Sequence, residues 1–362
     1  MSQYTSSLSN ENPNIFVDLR SDTVTKPCHD MKQANILREY GDDVYQEDTT
    51  TQELEKKIAL LFNKDDALFF PTGTMANLTA IMVWANKRGS EIILGNNSHI
   101  FLFEQGGASF LGGVAYHTLP NEDDGTISLD AIKNAIREDD IHEPNTSLIC
   151  IENTHNACGG RVLPFSYLTN LRKLANKECI PIHLDGARLW NALEYGSKTP
   201  GQISNCVDSI SVCLSKGLGS PMGSLLIGNK EFIKKARRIR KALGGGMRQT
   251  GFITSAGLIA LQNFHKGILK EDHEKTLKLA SAIDKLSKFE IVSKVETNIF
   301  FFKSLSYSYS DKEIMDFLNN YHVRISLWDI NLFRIVVHKD ISAMNIDFVI
   351  SVFTKLDQLI PN

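Results

Sequence analysis

The stretch SISVCLSKGLGSPMGSLL, residues 209–226, joins two short apolar runs through Ser215, Lys216 and a glycine-rich turn. Apolar runs of this length, bounded by turn residues, are typical of buried strands. Lys216 therefore follows the end of an interior strand, although lysine is rarely buried without a partner. The ordinary interpretation is that the Lys216 side chain reaches solvent. Only other parts of the chain favour a chemical role for this lysine.

The same alternation of short apolar runs and longer amphipathic runs extends over residues 67–228. The strand-like runs are ALFF, EIILG, VAYHTLP, SLICIEN, IPIHLDG, SISVCLS and SLLIG. Strands that alternate with helices of about 10–15 residues indicate a mostly parallel sheet covered by helices on both faces. The carboxyl ends of these strands are then the expected place for a ligand.

Beyond about residue 265 the pattern changes to pairs of strand-like runs, with helices predicted over 311–320 and 342–358. We therefore expect an α/β protein in three parts. These are a flexible polar arm over 1–14, a large domain over 15–264 and a smaller α+β domain over 265–362. The arm has too few apolar side chains to pack.

Composition and charge exclude several classes of protein. The 362 residues carry a formal net charge of -3, so no strong field of either sign is available to bind nucleic acid or a membrane surface. Six scattered cysteines without a C-x-x-C pair indicate a reducing compartment and predict neither disulfides nor a metal site. The polar N-terminus lacks the apolar segment of a signal peptide, and no apolar run is long enough for a membrane span. We interpret the protein as cytoplasmic.

The run IPIHLDGARLWNA, residues 180–192, delivers Asp185 to the carboxyl end of a strand. A buried carboxylate is costly unless it is paired, and its partner would be Arg188 or a protonated heterocycle. Lys216 follows one βα unit later, so that an acid and an amine meet at the same edge of the sheet. Pyridoxal 5′-phosphate (PLP) requires this arrangement, because a lysine holds its aldehyde as a Schiff base and an acid keeps its ring nitrogen protonated.

Two further motifs are compatible with a phosphate-bearing cofactor. FFPTGTMANL, residues 69–78, places Gly73 and Thr74 where a strand gives way to a helix. The free N–H groups of a helix N-terminus favour an anion such as phosphate, although a threonine that only caps the helix explains the same residues. His99 and Phe103 share a face if their segment is helical. The imidazole of His99 would then lie on a cofactor ring, with a purely structural histidine as the alternative.

Nine motifs, in order along the chain, carry a resemblance to a known family. They are VDLRSDTVTKP (17–27), YGDDVYQED (40–48), FFPTGTMANL (69–78), SHIFLFE (98–104), IHEPNTSLICIENTHNACGGRVLP (141–164), HLDGARLWNA (183–192), CLSKGLGSPMGSLLIG (213–228), KALGGGMRQTGF (241–252) and FRIVVHKD (333–340). In these motifs the chain resembles the low-specificity L-threonine aldolases, within the β-eliminating-lyase group of fold-type-I PLP enzymes. The resemblance implies an aspartate-aminotransferase-like fold with a seven-stranded-type sheet. It also implies a homo-oligomer whose active sites are built by dimers, often within a homotetramer.

The resemblance further implies which residues hold the cofactor. Lys216 matches the Schiff-base lysine, Asp185 the partner of the pyridine nitrogen, and His99 the imidazole that stacks on the ring. The matched phosphate-binding positions are Gly73 and Thr74. The matched basic residues that approach from a neighbouring subunit are Lys241 and Arg248.

Other matched positions surround an amino-acid substrate. Arg188, which is also expected beside the cofactor, and Arg334 match residues that hold the substrate carboxylate, with Ser21 nearby. A guanidinium fork suits a planar carboxylate better than a lysine would. His142 and Phe103 match positions around the substrate side chain.

The implied reaction is the cleavage of L-threonine or L-allo-threonine to glycine and acetaldehyde. The general base stays open between His99, His142 and a water held between them. Racemisation, β-elimination or transamination on the same scaffold, and a PLP-binding protein without catalysis, are the alternatives. Gln46, where relatives commonly have glycine, and Thr49, where they commonly have proline, depart from the family pattern and put the geometry of their loop in question.

Overall fold

The computed structural model describes residues 16–36, 38–306 and 308–360, so the predicted arm over 1–14 lies outside the described residues. The strands are β1 (Val17–Asp18), β2 (Asp66–Phe70), β3 (Ser90–Gly95), β4 (Ala115–Leu119), β5 (Asn145–Glu152), β6 (Ile182–Gly186), β7 (Ser209–Cys213), β8 (Ser224–Gly228), β9 (Phe289–Ile291), β10 (Ile299–Ser304), β11 (Val323–Arg324), β12 (Ser326–Asp329) and β13 (Leu332–Val336). The helices are α1 (His29–Gln33), α2 (Thr49–Leu61), α3 (Gly73–Trp84), α4 (His99–Leu102), α5 (Gly107–Phe110), α6 (Leu129–Ala135), α7 (Phe165–Lys177), α8 (Leu189–Tyr195), α9 (Pro200–Ser204), α10 (Lys230–Ala242), α11 (Gly251–His265), α12 (Ile268–Ile283), α13 (Asp311–Asn320) and α14 (Ala343–Leu359). None of these described helices has both the length and the apolar character needed to cross a membrane.

A seven-stranded sheet lies between two helical layers, with the strand order β2-β8-β7-β6-β5-β3-β4. β8 runs antiparallel to both of its neighbours. The strands β7, β6, β5, β3 and β4 pair in parallel. Every residue of β3, β6, β7 and β8 is buried, as expected for a sheet that is covered on both faces. The predicted α/β architecture with a mostly parallel sheet is confirmed.

Alternate side chains of this sheet pack into separate cores on its two faces, because successive residues of a strand point to opposite sides. Ile93 and Ile149 lie in a core with residues of α2, α7 and α11. Their chain neighbours Leu94 and Cys150 lie in another core, with residues of α3 and α5. Burial on both faces explains why the strands appear in the sequence as nearly continuous apolar runs.

A second, four-stranded antiparallel sheet has the order β12-β13-β10-β9 and packs with α12, α13 and α14 around its own core. Val17 and Leu19 belong to this core, and β1 pairs in parallel with β11. Residues that the sequence analysis groups with the large domain thus pack with C-terminal residues. The domain boundary between 264 and 265 itself stays a prediction.

Candidate active site

Two neighbouring strands bring Asp185 and Lys216 to one edge of the sheet. β6 and β7 pair in parallel, and Asp185, near the end of β6, is 2% exposed. Lys216 lies in the 214–223 connection between β7 and β8. Its carbonyl oxygen accepts hydrogen bonds from the Gly219 N–H at 2.8 Å and from the Thr25 hydroxyl at 2.9 Å. These two bonds fix the backbone that carries the lysine.

The amide of Asn77, on α3, joins two buried carboxylates. Its Nδ2 group donates to Asp185 Oδ2 and to Glu104 Oε1, each at 2.9 Å. Its Oδ1 accepts from the Ser211 hydroxyl at 2.6 Å and from His183 Nε2 at 3.0 Å. Because ionised carboxylates only accept hydrogen bonds, this orientation of the amide satisfies all four partners.

The orientation of Asn77 also determines the tautomer of His183. The proton on Nε2 is donated to Asn77 Oδ1, so Nδ1 accepts from the Ser209 hydroxyl at 2.9 Å. Ser209 in turn accepts from Trp84 Nε1 at 2.9 Å, and an indole N–H can only donate. Burial lowers the pKa of His183 to about 4, so its ring is neutral near pH 7. The chain of donors therefore runs in one direction, toward Asp185.

Glu104 holds the ring of His99. Glu104 Oε1 accepts from His99 Nδ1 at 2.9 Å, and the His99 backbone N–H donates to Glu152 Oε2 at 2.7 Å. Burial works against a charged ring, but the hydrogen bond to Glu104 and the charge of Asp185 outweigh it and raise the pKa of His99. Burial, with the nearby charge of Asp185, also raises the pKa of Glu104. The ring and the backbone of His99 are therefore both fixed.

Two guanidinium groups converge on the side chain of Asn156. Arg188 Nη1 and Arg334 Nη1 donate to Asn156 Oδ1 at 3.3 and 2.9 Å. Arg188 also forms a two-bond pair with Asp22, Nε to Oδ2 at 2.9 Å and Nη2 to Oδ1 at 2.7 Å. Although burial favours the neutral acid, Arg188 and Lys216 lower the pKa of Asp22 to about 2. The charge of Glu152 also acts on Arg188, so two carboxylates lie among the three cations of Arg188, Arg334 and Lys216. The excess of positive charge suits a carboxylate ligand.

The helix α3 begins with Gly73 and Thr74, just after β2, and the Thr72 hydroxyl caps it by accepting a backbone N–H at 3.2 Å. The other N–H groups of a first helical turn have no partner within the helix. Gly73 is required for packing, because a Cβ there would lie 2.9 Å from Sγ of Cys213 on β7. The expected anion-binding turn therefore lies against the strand that leads to Lys216.

Phe103 lies between His99 and Trp328. Its ring centroid is 5.6 Å from that of His99 and 5.8 Å from that of Trp328. The helix α4 ends at Leu102, so it is a single helical turn. This turn brings the rings of His99 and Phe103 together, as the sequence predicts.

His142 lies apart from this group. It comes before β5, whereas Glu152, which bonds the His99 backbone, lies at the carboxyl end of that strand. The strand has eight residues at about 3.3 Å each, which places His142 roughly 20 Å or more from the site. Within one chain, His142 is therefore separate from the group around Lys216, and its place beside the substrate side chain stays a prediction.

The remaining predicted residues are Ser21, Lys241 and Arg248. The Ser21 hydroxyl, next to the site in the chain, accepts from the Thr23 N–H at 3.2 Å. Lys241, at the end of α10, is exposed. Arg248 is exposed and pairs with Asp42 at 2.9 Å. Among the described contacts, neither basic residue reaches the group around Lys216, so a role for them requires a second copy of the chain.

Sequence reasoning missed four residues of the site, namely Asp22, Asn77, Glu104 and Asn156. His155 is 1% exposed, and neither of its ring nitrogens has a hydrogen-bond partner among the described residues. The sequence signal for His155 and Asn156 was their position relative to a predicted strand. His155 and Asn156 follow the carboxyl end of β5, where a parallel sheet binds its ligands.

His99, Glu104 and Asp185 offer possible metal ligands that lie within 4.8 Å of one another. However, Asn77 turns its amide donors toward both carboxylates, and His99 donates to Glu104. Donors that face the centre of the group oppose a cation there. We interpret the three side chains as a hydrogen-bonded network.

The two departures from the family pattern have local explanations. Gln46 has a φ of 59°, a left-handed conformation that glycine adopts at no cost. Thr49 is the first residue of α2, a position that also favours proline, and Asp48 caps this helix. The loop thus keeps a shape that glycine and proline would also allow.

Comparisons with known proteins agree with this geometry. A family model described as beta-eliminating lyase matches residues 18–304. A probable low-specificity L-threonine aldolase 2 of Arabidopsis thaliana is 43% identical, over 94% of this chain and 97% of its own length. A low specificity L-threonine aldolase of Escherichia coli (strain K12) is 44% identical, over 74% of this chain and 79% of its own. The structure of a Leishmania major threonine aldolase matches with a TM-score of 0.80 at 20% identity, covering 94% of this chain and 99% of that one. The resemblance inferred from the motifs is confirmed, and the chain belongs to the beta-eliminating lyase family.

Proposed function

We propose that this protein is an aldehyde-lyase that uses PLP to cleave L-threonine and L-allo-threonine to glycine and acetaldehyde. The observation that carries the proposal is the convergence of Asp185, Lys216 and two guanidinium groups at one edge of the sheet. A β-hydroxy-α-amino acid offers the amine and the carboxylate that this set of groups would bind. The same reaction is in the names of the Arabidopsis and Escherichia coli relatives.

The donor set fits PLP. Lys216 supplies an amine for its aldehyde, and Asp185 a buried carboxylate for its ring nitrogen. His99 supplies a flat ring that Glu104 holds in place. The capped N-terminus of α3 supplies free N–H groups for its phosphate. Bound there, PLP would accept the electrons of the breaking Cα–Cβ bond.

Arg188 and Arg334 orient the substrate through its carboxylate. Two hydrogen bonds to Asp22 keep the guanidinium of Arg188 in one orientation, and Asn156 links it to Arg334. Charge-assisted forks of this kind add geometric specificity as well as energy. A carboxylate held in this way fixes the direction of the bonds at Cα, which is the purpose of positioning before reaction.

His155 is the base in our proposal, in place of His142. The raised pKa of His99 keeps its ring charged over more of the neutral range, which makes it a poorer acceptor of the β-hydroxyl proton. His155 is buried with both ring nitrogens unpartnered among the described residues, and a substrate hydroxyl or a bridging water would satisfy one of them. A base in hydrogen-bond reach contributes typically about 10²–10⁴-fold.

The decisive experiment compares the wild type with Lys216→Ala and with Lys235→Ala, a control lysine on the exposed side of α10. Wild type and control should show a visible absorption band after PLP is added, and should form equal amounts of acetaldehyde and glycine from L-threonine. Lys216→Ala should lose both. Formation of pyruvate, a keto acid or a D-amino acid as the main product would replace this function with one of its alternatives.

The base assignment is tested with His155→Asn and His99→Asn, for which His142→Asn is the control at the opposite end of β5. We expect kcat to fall most in His155→Asn and to stay within about threefold in His142→Asn. Full kcat in His155→Asn would exclude His155 as the base, and a large loss in His142→Asn would show that His142 cannot serve as the control and takes part in the reaction.

We further propose that Lys241 and Arg248 complete the site of a second copy, within a homotetramer. Support comes from their exposure and from the lack of described contacts with the Lys216 group in their own chain. If Arg248 acts across the interface, mixed oligomers of Lys216→Ala and Arg248→Ala contain one intact site per mixed pair and regain activity. If it acts within its own chain, both sites of the mixed pair are defective and no activity returns. Sedimentation of the wild type gives the number of subunits.

A cytoplasmic location is also part of the proposal. All six cysteines are free, including exposed Cys179 and half-buried Cys158. Free thiols persist in a reducing compartment. Fractionation of cells with an antibody to the protein tests this location.

A further inference from the structure

Trp328 lies with its ring face against the guanidinium of Arg334, whose Cζ is 4.7 Å from the ring centroid. The two residues are on neighbouring strands, β12 and β13, in which Ser326 pairs with Arg334. The register shifts between Leu327 and Asp329, and an irregularity of this kind re-aims the side chain that it carries. The register shift in β12 therefore occurs at Trp328, the residue that contacts Arg334.

Trp328 also begins a line of aromatic rings that leads to His99. Its centroid is 5.8 Å from that of Phe103, which is 5.6 Å from that of His99. Phe301, on β10, packs edge to face against Trp328 at 5.3 Å and supports the indole from a second direction. The space between Arg334 and His99 is thus bordered by aromatic side chains.

A β-hydroxy-α-amino acid would extend along this line. The proposed function places its carboxylate at Arg334 and its reacting carbons near His99. The substituent on Cβ then faces the rings of Trp328 and Phe103, which favour an apolar group over a charged one. The bulk of the indole leaves less room for a large substituent than a smaller side chain would.

We propose that Trp328 positions Arg334 for the substrate carboxylate and that its ring limits the size of the apolar substituent on Cβ. This inference rests on the proposed cleavage of β-hydroxy-α-amino acids and deepens it. A guanidinium that lies on an indole face is attracted by the ring and restricted in its rotation. The guanidinium of Arg334 therefore loses less conformational freedom when it binds a carboxylate.

Four variants separate the two roles. Trp328→Phe keeps a ring, Trp328→Leu keeps apolar bulk without a ring face, and Trp328→Ala removes both. Tyr321→Leu is the control, because it removes a cation–π contact of the same 4.7 Å, with Lys355 on the outer helices. Glycine carries the carboxylate without a β-substituent, so its Kd for each PLP-loaded protein, from a spectral titration, reports positioning alone. The ratio of kcat/KM for β-phenylserine to that for L-threonine reports size selection.

Trp328→Leu should raise the Kd of glycine about three- to tenfold and leave the ratio of kcat/KM within about threefold. Trp328→Ala should raise the Kd by a similar factor and raise the ratio at least about tenfold, since discrimination by pocket size reaches roughly 10–200-fold. Trp328→Phe and Tyr321→Leu should stay near the wild type in both measurements.

An unchanged Kd of glycine in both the Leu and the Ala variants overturns the positioning role. An unchanged ratio in Trp328→Ala overturns the size limit. A wild type that forms no acetaldehyde from L-threonine overturns the proposed function itself, and the inference with it, so the two failures are distinguishable.

Discussion

Replacement of Asp22 by asparagine should lower the free energy of unfolding by about 3 kcal/mol near neutral pH. Asp22 is fully buried and accepts two hydrogen bonds from Arg188 and one from Asn298, the last at 3.3 Å. Loss of one partner of a buried ion pair costs about 3–5 kcal/mol, because the remaining charge stays buried without compensation. Asparagine keeps one acceptor oxygen, so we expect the lower end of this range.

The pKa of Asp22 gives a second value of the same size. It is about 2 in the folded protein, against 3.8 ordinarily. A difference of nearly two units corresponds to about 2.4 kcal/mol, at about 1.36 kcal/mol per unit. Because folding lowers this pKa, the stabilisation is fully present above pH 3.8 and is lost as the pH falls through 2. The gap between wild type and variant should therefore be wide at pH 7 and narrow between pH 4 and pH 2.

Urea unfolding at several pH values and thermal melts at pH 7 measure this gap. With an unfolding entropy of about 2.1 cal/mol/K per residue, a loss of 3 kcal/mol lowers Tm by roughly 4 °C in a chain of this length. Asp18→Asn is the matched control, because Asp18 forms a similar fork with Arg20, at 2.9 and 2.5 Å, in which the side chains are 20% and 39% exposed. A surface pair contributes at most about 1 kcal/mol. Equal losses in the two variants at pH 7, or a gap that stays as wide at pH 2, would refute the reasoning.

Two other substitutions test the surroundings of the histidines. Glu104→Gln should lower the pKa of His99, since it removes one of the two carboxylates that oppose the effect of burial; a ring titration by NMR that gives the wild-type midpoint or a higher one would contradict this. Gly125→Ala should cost about 1–3 kcal/mol in calorimetry and reduce kcat, because Gly125 has a φ of +84° and an added Cβ would lie 2.7 Å from the Cβ of His155. Gly89→Ala, with a φ of +82° in open space, is the control, and equal effects of the two changes on kcat would argue against any displacement of His155.

The sequence could predict the sheet and the place of Asp185 and Lys216, because both depend on local patterns. Apolar runs separated by amphipathic ones identify the strands, and a polar residue after a run marks a strand end. The order of the strands puts those ends side by side, as the fold confirms.

The network around these residues could not be predicted, because its contacts join distant parts of the chain. Asn77 and Asp185 are 108 residues apart, and Asp22 and Arg188 are 166 apart. Whether a charged side chain is buried also depends on partners that are distant in the chain. Arg240 lies within the basic run KKARRIRK, which has the composition of a solvated face, yet its side chain is 3% exposed and pairs with Asp43.

The proposal of His155 in place of His142 rests on a rule that was within reach of sequence reasoning. The two histidines lie on opposite sides of β5 in one long family motif. The motif alone does not distinguish them, but the direction of the strand does. The rule that ligands bind at the carboxyl ends of parallel strands favours His155.

The pairing of β1 with β11 has a consequence for biosynthesis. The backbone of Arg20 accepts a hydrogen bond from Ser326, 306 residues later, and Val17 pairs with Val323. At about 5–20 residues per second, a ribosome needs roughly 15–60 s between these two points. For that interval the segment before Asp22 lacks its strand partner, while Arg188 is already synthesised. The buried pair of Asp22 and Arg188 should thus form among the last contacts of the nascent chain, so the proposed carboxylate-binding part of the site matures only when the protein is nearly finished.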